Sequence, residues 1–120
     1  MHFQFLWWLM FQQKMNYLDK IPCHNTSWSQ SENSLITLEI KNKGAFSKII
    51  QVIFKKPPVY YVHLDQFGSF IWKNIDGEIS VYDISKLLTQ EFGELAEPLF
   101  LRLVKFFKTL ENNNFITWKL

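Results

Sequence analysis

The chain has 120 residues, 48% of them hydrophobic and 20% charged, with twelve Phe and five Trp; this is the size of one domain able to close a core without metal or disulfide, and the apolar content excludes a disordered tail. Formal net charge is only +2 and there is one cysteine, Cys23, so an internal disulfide is excluded, no zinc spacing exists, and a reducing cytoplasm is the expected setting. The basic character is local: Lys41, Lys43, Lys48, Lys55 and Lys56 fall together with no acid among them, either as a patch for nucleic acid or anionic lipid or, more commonly, as the solvated side of a helix.

The first segment, residues 2–11, is apolar and aromatic. It is about half the length needed to span a bilayer, and it lacks the flanking basic and small residues of a signal peptide. Residues 1–14 are therefore expected to be an extension outside the fold, with residues 15–120 forming a single domain. From Cys23 to Ser34 the composition turns polar, which predicts a loop or a weak strand, with Trp28 plugging one end of the core. Leu35–Lys41 alternates, Ile36, Leu38 and Ile40 against Thr37, Glu39 and Lys41, as a half-buried strand requires.

Asn42, Lys43 and Gly44 break that strand. Over residues 45–54, Phe46, Ile49, Ile50 and Ile53 recur at helical spacing, and Pro57 and Pro58 stop the helix. Val59–Leu64 is β-branched and aromatic and predicts a strand with Tyr60, Val62 and Leu64 on one face. Asp65 is placed to cap a helix over Gln66–Ile75, with an apolar stripe of Phe67, Phe70 and Ile71, and Asp76-Gly77 ends it. Ser80 and Asp83 have the spacing of a capping box. The helix they open turns Val81, Ile84, Leu87, Leu88 and Phe92 inward and closes at Gly93. A third helix is expected from Glu97-Pro98, carrying an apolar arc from Leu99 to Leu110 too wide for one core face. Asn112–Asn114 ends it, and residues 115–118 form a short strand or tail.

Little in this pattern is catalytic. The histidines at 2, 24 and 63 lie in unrelated segments, none with an acid or second histidine at metal-binding spacing. The four glycines never cluster into a phosphate loop, and Asp65 and Asp76 are explained as helix-end residues. The expectation is a chain that is not an enzyme and has no cofactor or metal.

The stretch Val62-His-Leu-Asp-Gln-Phe-Gly-Ser-Phe-Ile-Trp-Lys-Asn-Ile-Asp-Gly77, followed by Ser80-Val-Tyr-Asp-Ile-Ser-Lys-Leu-Leu88, resembles the PqqD family. The matching positions are Leu64, Asp65, Asp76, Gly77, Ser80, Val81, Asp83 and Ile84, and the resemblance covers about residues 59–118. It implies an α+β, winged helix-turn-helix-like fold, a short antiparallel sheet packed on three helices, here with an extra helical insertion at Gly44–Pro58. It also implies a peptide chaperone that binds the leader region of a ribosomally made precursor and presents it to a modifying enzyme, often of the radical SAM class. An extended peptide adds to a free sheet edge through backbone hydrogen bonds. By the resemblance the docking strand is Val59, Tyr60, Tyr61, Val62, His63 and Leu64, and Val62→Pro is the expected way to remove one of its donors. The third helix forms the other wall, with Leu101, Arg102, Lys105 and Lys108 lining a groove for an apolar, acidic leader. The competing reading has Leu101 filling an edge of the core and the basic groups merely solvated.

The chain is expected to be a monomer or weak homodimer without stable membrane insertion. A winged-helix DNA-binding regulator is the alternative function, but a recognition helix needs exposed polar side chains to reach base edges, whereas Leu99–Leu110 is dominated by Leu and Phe. A membrane-surface module built on Phe46, Ile49, Ile50 and Ile53 ranks third.

Overall fold

Two strands of alternating character, separated by a polar loop that permits a left-handed residue, are the requirements of a β-hairpin, and both are met between residues 27 and 41. The structure is a computed structural model that describes residues 17–41 and 59–120. The expected N-terminal extension, and the expected helix over residues 45–54 with its lysines, lie outside the described residues. In chain order the elements are β1 (Pro22–His24), β2 (Ser27–Gln30), β3 (Ile36–Lys41), β4 (Val59–His63), α1 (Gln66–Asn74), α2 (Val81–Phe92), a 3-10 turn (Gly93–Ala96), α3 (Leu99–Asn112) and β5 (Ile116–Trp118). The fold is thus α+β, with short antiparallel sheets and three α-helices. The described residues divide into a sheet unit, 26–41 with 59–72, and a helical unit, 17–25 with 73–120.

In the sheet unit the strand order is β2-β3-β4, antiparallel throughout. The β2–β3 loop is closed by hydrogen bonds from Ser31 N–H to the Leu35 carbonyl (2.9 Å) and from Ser34 N–H to the Ser31 carbonyl (3.0 Å). Ser34 takes φ 65, the left-handed residue that matches hairpin loops to the twist of their strands. Residues directly opposite share a face, so Leu38 and Val62 lie on one side with Ile40 and Tyr60. Ile36 and Leu38 are fully buried there. Thr37 and Glu39 occupy the other side with Tyr61 and His63, and the Thr37 hydroxyl and His63 Nδ1 share a 2.9 Å hydrogen bond. The alternation predicted for both strands is therefore the alternation observed. Trp28 departs from expectation: it lies on β2 opposite Leu38 and is 40% exposed, where among the described residues β2 pairs with β3 alone.

Asp65 caps α1 as predicted, its Oδ1 accepting the Gly68 N–H at 2.8 Å. The buried face of α1 differs from the predicted stripe. Gly68, Ser69, Ile71 and Trp72 are buried, whereas Phe67 and Phe70 are half-buried. The rotation has a polar cause. The Ser69 hydroxyl accepts the Ile36 N–H (2.8 Å) and donates to the Leu64 carbonyl (3.3 Å), so a buried serine joins the end of the β3–β4 ladder and satisfies groups that would otherwise be desolvated without partners.

The helical unit is written in caps. Asp76 Oδ1 accepts the N–H groups of Glu78 (2.8 Å) and Ile79 (3.0 Å), and Gly77 takes φ 78. A Cβ at Gly77 would meet Cys23 Sγ at an ordinary 3.6 Å, so backbone conformation rather than space calls for glycine there. Ser80 and Asp83 form the complete capping box of α2, and the first helical N–H, at Val81, donates to the Lys20 carbonyl at 2.9 Å. Val81, Ile84 and Leu88 are fully buried; Leu87 and Phe92 are half-buried. Gly93 closes the helix at φ 56.

In α3 the inward stripe is Leu99, Leu103, Phe107 and Leu110, a spacing of four, four and three. Pro98 caps this helix from just outside rather than sitting in its first turn, and Glu97 Oε2 accepts the Leu99 N–H at 3.1 Å. The expected single sheet is in fact two, since β1 pairs with β5. This second ladder is extended at both ends by Asn25 N–H to the Phe115 carbonyl and Lys119 N–H to the Ile21 carbonyl, each 2.8 Å. Trp118 of β5 meets Tyr17 edge-on at 5.6 Å between ring centroids and Phe107 at 5.9 Å, and Lys20 Nζ stands 5.3 Å from the centroids of both Tyr17 and Trp118. Burial, and then the Glu111 carboxylate, push the Tyr17 hydroxyl above the ordinary tyrosine range.

Candidate functional site

The register of β4 decides what the strand can offer a partner. In an antiparallel ladder, alternate residues turn their N–H and C=O either into the pair or away from it. The Leu64 N–H donates to the Ile36 carbonyl at 2.9 Å, which fixes the parity. Leu64, Val62 and Tyr60 direct their backbone groups into β3; His63, Tyr61 and Val59 direct theirs outward. Among the described residues β4 pairs with β3 alone, so Tyr61 lies at the centre of a strand edge whose outward donor and acceptor groups have no described backbone partner.

Within the strand itself, the residues that usually blunt an exposed edge are missing. Val59–His63 contains no Lys, Asp, Glu or Pro, the residues that natural sheets place on exposed edges to prevent added pairing. Tyr60 is 46% and Tyr61 60% exposed; Val62 is half-buried and His63 exposed. An added strand would run its alternate side chains beside Tyr61 and His63 on one face and beside Tyr60 and Val62 on the other. Sequence reasoning found the strand and its faces but selected the wrong donor. The Val62 N–H points into β3, so Val62→Pro breaks the sheet itself; Tyr61 carries the outward donor. Ser69, which holds the ladder in place, was missed altogether, because a serine amid an apolar stripe gives no signal until the ladder end is placed above it.

Of the residues expected on the second wall, Leu101 is 70% exposed, which removes the reading in which it fills an edge of the core. Lys105 and Lys108 are exposed, and Arg102 is half-buried. The Arg102 guanidinium is partly engaged, Nη1 donating to the Leu95 carbonyl at 2.7 Å, where it ties the 3-10 turn to the first turns of α3. Val59, Tyr60, Tyr61, Val62 and His63 belong to the sheet unit, and Leu101, Arg102, Lys105 and Lys108 to the helical unit.

Among the described residues no three His, Cys, Asp or Glu side chains are grouped to hold a metal ion, and no helix is long and apolar enough to cross a membrane. The most perturbed acids are structural. Asp76 is held below the ordinary aspartate range first by the Glu78 and Ile79 amides, and Asp83 first by the Ser80 amide and then by its hydroxyl.

The family model described as coenzyme PQQ synthesis protein D (PqqD) matches residues 56–116, just over half of the 120 residues. The match runs from shortly before β4 through α1, α2 and α3 to the first residue of β5. No curated protein and no solved structure matches the chain.

Proposed function

The chain belongs to the PqqD family, and from that premise we propose that it is a non-catalytic peptide chaperone that takes the leader region of a ribosomally made precursor as an added strand on β4. The family description ties such domains to coenzyme PQQ synthesis, so the role is that of a peptide-binding accessory to a modifying enzyme, a radical SAM protein in the favoured form, working in the cytoplasm on a scaffold of winged-helix type.

The observation that carries the reading is the outer edge of β4, which has no strand partner among the described residues, with the backbone groups of Tyr61 at its centre. Backbone pairing supplies affinity for an extended segment of almost any sequence, and the side chains flanking it supply selection. Exposed tyrosines suit this task, since each offers a broad apolar contact together with a polar tip at small rotamer cost.

The test is a calorimetric titration of the full chain with the short peptides encoded beside its gene, in parallel with duplex DNA. The expected result is saturable peptide binding that Tyr61→Pro weakens about tenfold or more while the fold survives, since proline is tolerated where a strand N–H faces outward. Unchanged affinity in a folded Tyr61→Pro protein would place the docking strand elsewhere. Salt-sensitive DNA binding without peptide binding would favour the regulator instead.

A further inference from the structure

The two faces of β4 offer an added strand different chemistry. Tyr60 and Val62 share a face with the buried Leu38 and with Ile40, whereas Tyr61 and His63 share the opposite face with Thr37 and Glu39. Within Val59–His63 only His63 can become a cation, and no residue is an acid. A segment docked on this edge therefore meets a mainly apolar flank on one side and a hydrogen-bonding flank on the other, where His63 is the group able to attract charge.

The hydrogen bond between the Thr37 hydroxyl and His63 Nδ1, 2.9 Å long, sets the direction of the ring. Thr37 is the direct partner of His63 on β3, in one of the close pairs that exchange no backbone bonds and whose side chains stand nearest one another. Nδ1 is thus turned back toward β3. The two nitrogens lie on different sides of an imidazole, so Nε2 is turned away from β3, toward the edge that has no described strand partner. Nε2 makes no hydrogen bond, and His63 no ion pair, among the described residues. A ring held at one nitrogen by a hydroxyl is oriented to donate from the other to an acceptor beyond β4.

The residue of an added strand that stands opposite His63 turns its side chain to the same face, with about 5 Å between Cβ atoms. A carboxylate there is within reach of Nε2. With both ring nitrogens protonated, Nδ1–H donates to the Thr37 oxygen and Nε2–H to the carboxylate, a charge-assisted bond stronger than its neutral counterpart. Glu39 lies on the same face but opposite Tyr61, one strand further back. Two strand spacings, about 10 Å, separate it from the added side chain, so it repels that acid less than the adjacent imidazole attracts it.

We propose that His63 selects the docked segment by requiring a carboxylate side chain at the position opposite it, and that Thr37 is the positioning residue that aims the ring. The inference rests on the strand-addition reading above and adds to it one defined position of the peptide. Backbone pairing with Tyr61 holds the segment, and the His63 contact sets its register along the edge.

The test is selection of displayed random peptides of about eight residues on the immobilised full chain, followed by calorimetry on the peptides selected. They are expected to lose affinity on Tyr61→Pro and to carry Asp or Glu at one fixed position. Exchanging that acid for its amide weakens binding to the wild type about tenfold and changes binding to His63→Gln by less than about twofold. Thr37→Val removes the hydroxyl but keeps the shape; it lowers the preference for acid over amide without weakening the amide peptide, and Thr37→Ser restores the preference. Selection on His63→Glu replaces the fixed acid by Lys or Arg. Peptides that depend on Tyr61 yet carry no fixed carboxylate, or an acid-to-amide loss of the same size in His63→Gln, would overturn the role of His63 and leave strand addition standing. Peptides indifferent to Tyr61→Pro would remove the docking strand itself, and this inference with it.

Discussion

The sheet unit and the helical unit are held together by different kinds of signal. In the helical unit nearly every boundary is marked by a side chain within a few residues of it: Asp76 for the Gly77 turn, Ser80 with Asp83 for α2, Gly93 for its end and Glu97 for α3. In the sheet unit one of the decisive bonds is non-local, the Ile36 N–H reaching the hydroxyl of Ser69 from the opposite end of the unit. The lesson is about where a binding edge can be kept open. A strand held on one side by register and one buried relay keeps its other row of backbone groups out of that ladder, whereas helices satisfy their own backbone and offer a partner only side chains.

The comparison breaks most visibly if the helical unit proves insensitive to its stripe. Phe107 is fully buried and packs against Phe106 and Trp118, so Phe107→Ala is expected to cost about 3–5 kcal/mol in urea denaturation; a loss below about 1 kcal/mol would show the stripe to be peripheral. Ser69→Ala sharpens the other side. It leaves the Ile36 N–H buried without its acceptor and is expected to cost about 1–3 kcal/mol, with faster amide exchange at Ile36 and little change in α2. Equal loosening in both units would contradict the local role given to that hydroxyl.

The smallest effects concern the caps. Ser80→Ala is expected to cost about 1 kcal/mol, read from the thermal midpoint. Asp76 and Asp83 are ionised more readily in the folded chain than in the unfolded one, because backbone amides donate to them. Their contribution is therefore present above the ordinary aspartate range and is lost as pH falls through their lower folded values. Stability should decline on acidification from about pH 5 downward, less steeply in Asp83→Asn. An unchanged acid limb in that variant would remove Asp83 from the account.

The contrast also explains what could be read from the chain alone. Caps are local chemistry, so Asp65 for α1, Ser80, Asp83 and Gly93 for α2, and Glu97-Pro98 for α3 announced the three helices with boundaries nearly as observed. The alternation of β3 and β4 gave their faces. Registers, by contrast, depend on residues far apart: β1 has three residues and becomes a strand only because β5, at the other end of the chain, pairs with it. For the same reason the β4 edge was legible as a strand while its outward donor was not. Which of Tyr61 and Val62 faces a partner depends on the Leu64–Ile36 bond, not on any property of the tyrosine or the valine. The over-wide arc of α3 left Leu101 open between an exposed wall and an edge of the core, and the burial of Ser69 was not readable at all, since its partners are backbone groups of two distant strands.

The most direct test of the open edge is amide hydrogen exchange along β4, residue by residue, with and without a leader peptide that binds. In the free protein the account predicts slow exchange at Tyr60, Val62 and Leu64 and fast exchange at Tyr61 and His63; in the saturated complex Tyr61 and His63 become slow as well. Fast exchange at Tyr61 and His63 in the complex, or protection of both before any peptide is added, would contradict it.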